Sequence, residues 1–268
     1  MWELYGVDVS NYQSTTGPGG KSYDELARTC KFAMVRLSYG TYKDPAAVQH
    51  FKNFRAVGIQ VGGYHFFRST QSVADQLTVF NAQAADCGYL PGDIAPSLDI
   101  EDDPRVATVS PSWVPQLREF MACLLSTYGE AMPYLTQYAY NILLKPSFIL
   151  VRPLWVPYWV NSSNPASPGG VTPAIWQRRV GPYVFNGEGG VFKPQLIDQN
   201  VAHNVLPLAR TVAKMPVVVP HTDTPPLHTE EDLWKNRLDS ITNDAWSQLN
   251  LKLEPDDYET YDGDGKVK

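Results

Sequence analysis

Short apolar runs and runs of helical periodicity alternate through the first half of the chain. YGVDVS (5–10), FAMVRLSYG (32–40), IQVGGYHFF (59–67), IAPSLDIE (94–101) and PYLTQY (133–138) read as mostly buried strands. Between them lie SYDELARTC, DPAAVQHFKNFRAVG, SVADQLTVFNAQAADCGY and SPSWVPQLREFMACLLSTYG, in which apolar residues recur at helical spacing. Ser72 and the Ser110-Pro111 pair supply helix-start chemistry, and Gly58, Gly88 and Gly129 mark helix ends. Repeated strand–helix–strand connection implies parallel strands, arranged either as a β/α barrel or as a doubly wound sheet.

The pattern changes after Tyr138. A short helical segment, AYNILLKPSF, precedes PLWVPYWV, AIWQRRV and VFKPQLIDQNVA, three strand candidates joined by Pro-, Gly- and Asn-rich loops with little room for helices. A barrel with helices on its first half and bare strands closing its second fits this order. The pattern breaks again after about residue 215. We expect a body over 1–215, a Pro/Thr-rich linker over 216–229 and an acidic helical extension over 230–268, with Thr229 and Asp232 at capping-box spacing. Leu233, Trp234, Leu238, Ile241, Ala245 and Leu249 fall roughly on one apolar stripe of that helix.

Charge sharpens the division. Residues 221–268 carry 12 acidic and 5 basic side chains, whereas 1–220 carry 16 and 17. A nearly neutral body with no Lys/Arg stripe gives no footprint for nucleic acid, and no apolar run is long enough to span a bilayer as a helix. Cys30, Cys87 and Cys123 are too few for a disulfide framework and lack CxxC spacing, so they read as buried thiols. No HExxH or His-x-His spacing occurs, and DGDG at 262–265 lacks a distal Glu for a calcium loop; neither a metal nor a cofactor is expected.

The chemistry concentrates in PSLDIEDD (96–103). Residues two apart on a strand share a face, so Asp99 and Glu101 are neighbours while Leu98 and Ile100 face the packed layer. Asp102 and Asp103 read as capping or solvated residues. In β/α barrels the chemistry lies at the C-terminal strand ends. Asp8 near the end of the first strand and Asp198 near the end of the last follow the same rule, and closure makes those strands adjacent. Tyr64, His65 and Arg68 from the third strand, Tyr138 from the fifth, and Trp159 and Gln177 further round would share the rim. Clustered carboxylates keep one another protonated, the division of labour that glycoside hydrolysis requires.

These segments, in order, carry a resemblance. YGVDVSNYQ, FAMVRLSYG, GGYHFFRST, PSLDIEDD, PYLTQY, LWVPYWV, AIWQ and LIDQNVA resemble the glycoside hydrolase family 25 lysozymes, muramidases of bacteriophages, bacteria and some fungi, over residues 4 to about 205. The resemblance implies an α/β fold, a modified TIM-like (β/α) barrel of eight strands with helices mainly on the first five units, so that 1–215 forms the catalytic barrel. It implies cleavage, with retention, of the β-1,4 bond between N-acetylmuramic acid and N-acetylglucosamine. The family's acidic positions fall on Asp8, Asp99, Glu101 and Asp198, with Glu101 as general acid/base. Asp99 and Asp198 then stabilise either the substrate's acetamido group as internal nucleophile or a covalent intermediate. Asp8 tunes its neighbours or holds the saccharide. Tyr64, Tyr138, Trp159 and Gln177 match groove positions; Arg68 holds a carboxylate or pairs with an acidic neighbour, and His65 reads as a hydrogen-bonded core residue. The loop YVFNGEGGVFKPQ departs from the family's pattern, and the region after 220 resembles none of its wall-binding modules.

The expected partner is bacterial peptidoglycan, reached from a chain made in the cytoplasm without a signal peptide, by holin release or as part of a virion. Two other classes stay open at this level. One is a tail or baseplate component whose C-terminal helix, around 230–250, docks on a protein partner or on a second copy; the other is a catalytically silent sugar-binding barrel.

Overall fold

The structure, a computed structural model, describes residues 3–102, 108–143, 153–158, 168, 171–181, 197–203 and 205–211. The linker and acidic extension expected after residue 215, Asp103 and Trp159 lie outside the described residues.

The described elements run β1 (Leu4–Val9), α1 (Tyr23–Ala27), β2 (Cys30–Tyr39), β3 (Tyr42–Lys43), α2 (Ala47–Ala56), β4 (Gln60–Phe66), α3 (Val73–Asp86), β5 (Ile94–Ile100), α4 (Val114–Tyr128), β6 (Met132–Leu135), α5 (Gln137–Leu143), β7 (Trp155–Pro157), β8 (Ile175–Gly181) and β9 (Ile197–Ala202). Eight of the strands close a ring in the order β1-β2-β4-β5-β6-β7-β8-β9, and β3 is a hairpin appended to β2. Neighbours from β1 round to β8 run parallel, while β9 is antiparallel to both β8 and β1. This is the modified barrel the sequence led us to expect, and among the described residues its helices lie on the first five units.

Local chemistry places the helices. Ser22 and Glu25 form a reciprocal capping box at the start of α1, and the Ser72 side chain accepts the Asp75 amide at the start of α3. Ser110 and Pro111 open a single 3₁₀ turn that leads into α4, and α4 ends at Gly129 with φ 70°, a left-handed cap that an L side chain rarely adopts. Outward-facing Val7, Val35, Leu37, Leu98 and Ile100 pack with Leu26, Phe51, Phe54, Phe80 and Phe120 of the helices. Each such side chain fully buried contributes about 1.5–3 kcal/mol.

A second apolar cluster fills the barrel itself: Phe32, Met34, Tyr64, Ile94, Met132, Tyr134, Trp155, Ile175, Ala202 and Leu206. An eight-stranded barrel is only wide enough for side chains, so this interior is solid. Gly6 shows how tight it is. A Cβ there would lie 2.4 Å from Phe32 Cζ.

Two expectations about strand ends are corrected. The fifth predicted strand, 133–138, stops at Leu135, because the Thr136 hydroxyl accepts the Ala139 amide (3.0 Å) and starts α5, which carries Tyr138. Asp198 lies near the beginning of β9, not its end. Since β9 runs antiparallel, its first residues reach the rim that the other strands reach with their last.

Candidate active site

Period-two alternation turns the barrel from apolar to polar along its axis. On β1 Gly6 and Asp8 face inward; on β9 Asn200 is the partner of Gly6 and Asp198 the partner of Asp8. On β5 Asp99 follows the same rule, in register with Phe66 of β4 and Tyr134 of β6. Leu98 and Ile100 belong to the outer layer, so the alternation read from PSLDIEDD holds. Glu101 follows β5 directly, half-buried.

Above the apolar floor comes a ring of aromatic and amide groups. Trp155 meets Tyr64 and Tyr134 edge-on, with ring centroids 5.7 and 4.7 Å apart. The Tyr134 hydroxyl donates to Gln177 Oε1 (2.9 Å), and Gln177 Nε2 donates to Asp8 Oδ2 (2.9 Å). Trp155 Nε1 donates to Asn200 Oδ1 (2.9 Å), and Asn200 Nδ2 donates to the same Asp8 oxygen (2.7 Å). Two relays, one from each side, thus end on one carboxylate. Each relay also fixes its amide's orientation, since only one way round gives Asp8 a donor.

The electrostatics follow from burial and crowding. Burial pushes the Asp8 carboxyl up to about 6, against the pull of its two amide donors. Burial raises Asp99 well above the ordinary carboxylate range, and the charges of Glu101, Asp8 and Asp198 raise it further, with Arg36 pulling the other way. Asp198 is pushed up to about 8 by burial, then by Asp8 and Glu101. Asp99 Oδ1 is buried and has no hydrogen-bond partner among the described residues. The four carboxylates therefore act on one another at one mouth of the barrel, and the site holds protons at neutral pH.

The remaining expected residues separate. Tyr64 is buried among the interior aromatics, and Gln177 is buried against Asp8. His65 faces outward into the core, between Ser38 Oγ (2.7 Å) and Gln76 Oε1 (3.0 Å) and stacked on Phe120, where burial lowers its pKa to about 4. The Arg68 guanidinium lies 4.8 Å over the Tyr39 ring. Tyr138 sits on the first turn of α5, 68% exposed, so it does not join the buried network. Asp102, expected to cap a helix or face water, is exposed and accepts the Val109 amide (2.6 Å).

Sequence reading missed Tyr134, Trp155, Asn200 and Arg36. The signal for Asn200 was present, since it lies two residues beyond Asp198 and so shares its face. Arg36 is the one charged residue within the apolar run FAMVRLSYG (32–40). Among the described residues no group of three His, Cys, Asp or Glu side chains could hold a metal ion.

Comparison with known proteins places this geometry. A family model described as Glycosyl hydrolases family 25 matches residues 7–179. Comparison with curated proteins returned no match. Solved structures match the fold. A muramidase from Trichobolus zukalii aligns with TM-score 0.61 at 22% identity, covering 76% of this chain and 95% of that one. A GH25 lysozyme from Aspergillus fumigatus gives 0.59 at 23%, covering 75% and 94%. The catalytic domain of endolysin ply40, from bacteriophage P40 of Listeria monocytogenes, gives 0.57 at 20%, covering 76% and 94%. The family match spans β1 to β8 and takes in Asp8, Asp99, Glu101 and Gln177, and on that ground the chain belongs to glycosyl hydrolases family 25 and is a glycoside hydrolase.

Proposed function

We propose that this enzyme is an N-acetylmuramidase, cutting the β-1,4 bond between N-acetylmuramic acid and N-acetylglucosamine of peptidoglycan with retention of configuration. The observation that carries the reading is the convergence of Asp8, Asp99 and Asp198 with Glu101 at one barrel mouth, on an otherwise apolar interior. Family membership supports the substrate class, as do the relatives described as lysozyme, muramidase and endolysin.

Roles follow from surroundings. Glu101, half-buried at the end of β5, is the general acid that protonates the leaving oxygen and then the base that activates water. Asp8 is unsuited to attack C1, because two amide donors converge on one of its oxygens; it is a fixed negative charge that tunes the cluster. Asp99, with an unsatisfied oxygen, and Asp198 stand to stabilise the oxocarbenium-like centre, through the substrate's acetamido group or a covalent intermediate. Tyr64 and Tyr134 stay protonated, since burial raises both well above their ordinary range, and they wall the site. In this reading the enzyme meets its substrate at the bacterial wall, by holin release or from a virion.

The test is lysis of purified cell walls followed by turbidity. Wild type clears the suspension, and Glu101→Gln loses roughly 1,000-fold in rate, the scale of general acid catalysis combined with charge positioning. Equal clearing by Glu101→Gln would overturn the assignment.

A further inference from the structure

We propose that Arg36 is a positioning residue of the active site, a counter-ion clamped at the barrel mouth by Asp44 and Asn11 so that its fixed positive charge offsets the carboxylates crowded there; the inference rests on the muramidase reading of the same site.

The clamp is visible along β2. Phe32 and Met34 face the barrel interior, and Arg36 continues that face, in register with Tyr64 of β4 and one step beyond Met34, the partner of Asp8. An arginine there needs support, because its side chain is only 12% exposed. Arg36 Nε donates to Asp44 Oδ2 (2.9 Å), and its terminal nitrogen donates to Asn11 Oδ1. Asp44 is itself fully buried and fixed, Oδ2 accepting the Asn11 amide (3.0 Å) and Oδ1 the Ala46 amide (2.9 Å). The guanidinium also lies 5.3 Å from the Tyr12 ring centroid and 5.9 Å from that of Tyr39. Such a group is preorganised and does not reorient during turnover.

Its consequence lies in the groups that face Asp99. Glu101 from the end of β5, Asp8 from β1 and Asp198 from β9 all oppose its ionisation; Tyr64 from β4 and Tyr134 from β6 are neutral; Arg36 from β2 favours it. Among these groups Arg36 alone pulls the Asp99 carboxyl down, against the burial and the three carboxylates that hold it well above its ordinary range, so its removal leaves Asp99 still harder to ionise.

Neutralising Arg36 alone would strand Asp44 as a buried unpaired charge, so the test uses the pair. The Asp99 carboxyl is titrated by ¹³C NMR, with its resonance assigned through Asp99→Asn, in wild type, in Asp44→Asn, and in Arg36→Gln/Asp44→Asn. We expect the Asp99 midpoint to rise by about one unit or more in the double variant, and to stay within about 0.3 of wild type in Asp44→Asn. In wall lysis the double variant should lose roughly tenfold in kcat with KM nearly unchanged, and Arg36→Lys should recover most of it. An unchanged midpoint in the double variant overturns the proposal, as does an equal rise in Asp44→Asn alone. Because the titration needs no turnover, a wild-type protein without lytic activity would refute the muramidase reading while leaving the role of Arg36 decided by its own result.

Discussion

Replacing Gln177 by Leu removes one of the two amide donors that hold Asp8 ionised. The lost bond is Gln177 Nε2 to Asp8 Oδ2 at 2.9 Å, inside the barrel and out of solvent; Asn200 Nδ2 at 2.7 Å remains. A hydrogen bond to a charged group contributes about 1.5–3 kcal/mol, and one pKa unit corresponds to about 1.4 kcal/mol, so the Asp8 carboxyl should move up by about one to two units. It starts at about 6 and should reach roughly 7–8, so that at neutral pH a large fraction becomes neutral. The same substitution strands the Tyr134 hydroxyl, which loses its acceptor, at a cost of about 1–3 kcal/mol in folding stability. Titration of the Asp8 carboxyl by ¹³C NMR, assigned through Asp8→Asn, measures the first effect, and denaturant unfolding measures the second. An Asp8 midpoint that stays put or falls in Gln177→Leu would refute the reasoning, since burial would then not be what the amides oppose.

Stability should depend on pH in the direction opposite to that of a salt-bridged protein. Asp8, Asp99 and Asp198 all have folded pKa values above their unfolded ones, so the native state binds more protons than the unfolded chain between about 4 and about 8, and stability falls as pH rises through that window. The unfolding temperature should therefore be higher at pH 5 than at pH 8, and Asp198→Asn should flatten the difference; a flat wild-type profile would count against the cluster. Gly6→Ala should destabilise by about 1–3 kcal/mol, because its Cβ meets the Phe32 ring in the packed interior, and urea unfolding reads the change. His65→Asn should lower stability through its lost stacking on Phe120 yet leave the pH optimum of lysis in place, because His65 lies on the helix side of β4.

How legible the site was in the sequence depended on what each residue's position relied on. Asp99 and Glu101 were legible because strand alternation is local: once Leu98 and Ile100 are assigned to the helix layer, the acids must share the other side. Asp198 was recognised but misplaced along its strand. The direction of β9 is a tertiary property, set by pairing with β1 and β8, and no local pattern records it. Tyr138 was read as strand because PYLTQY is apolar at one end, whereas the Thr136 hydroxyl decides for helix by capping the Ala139 amide. Tyr134, Trp155 and Asn200 are ordinary strand residues in sequence; their meaning comes from partners 43 to 192 positions away, which only closure of the barrel brings together. Arg36 depends likewise on Asp44, delivered by the turn after β3 that apolar periodicity did not mark as a strand.

The most direct measurement is of the new chain ends in digested peptidoglycan, by borohydride reduction and mass spectrometry of the released fragments. The account predicts reduced muramic acid at the new ends with wild type, and almost none with Glu101→Gln. Reduced glucosamine, a cut peptide, or the same products from Glu101→Gln would contradict it.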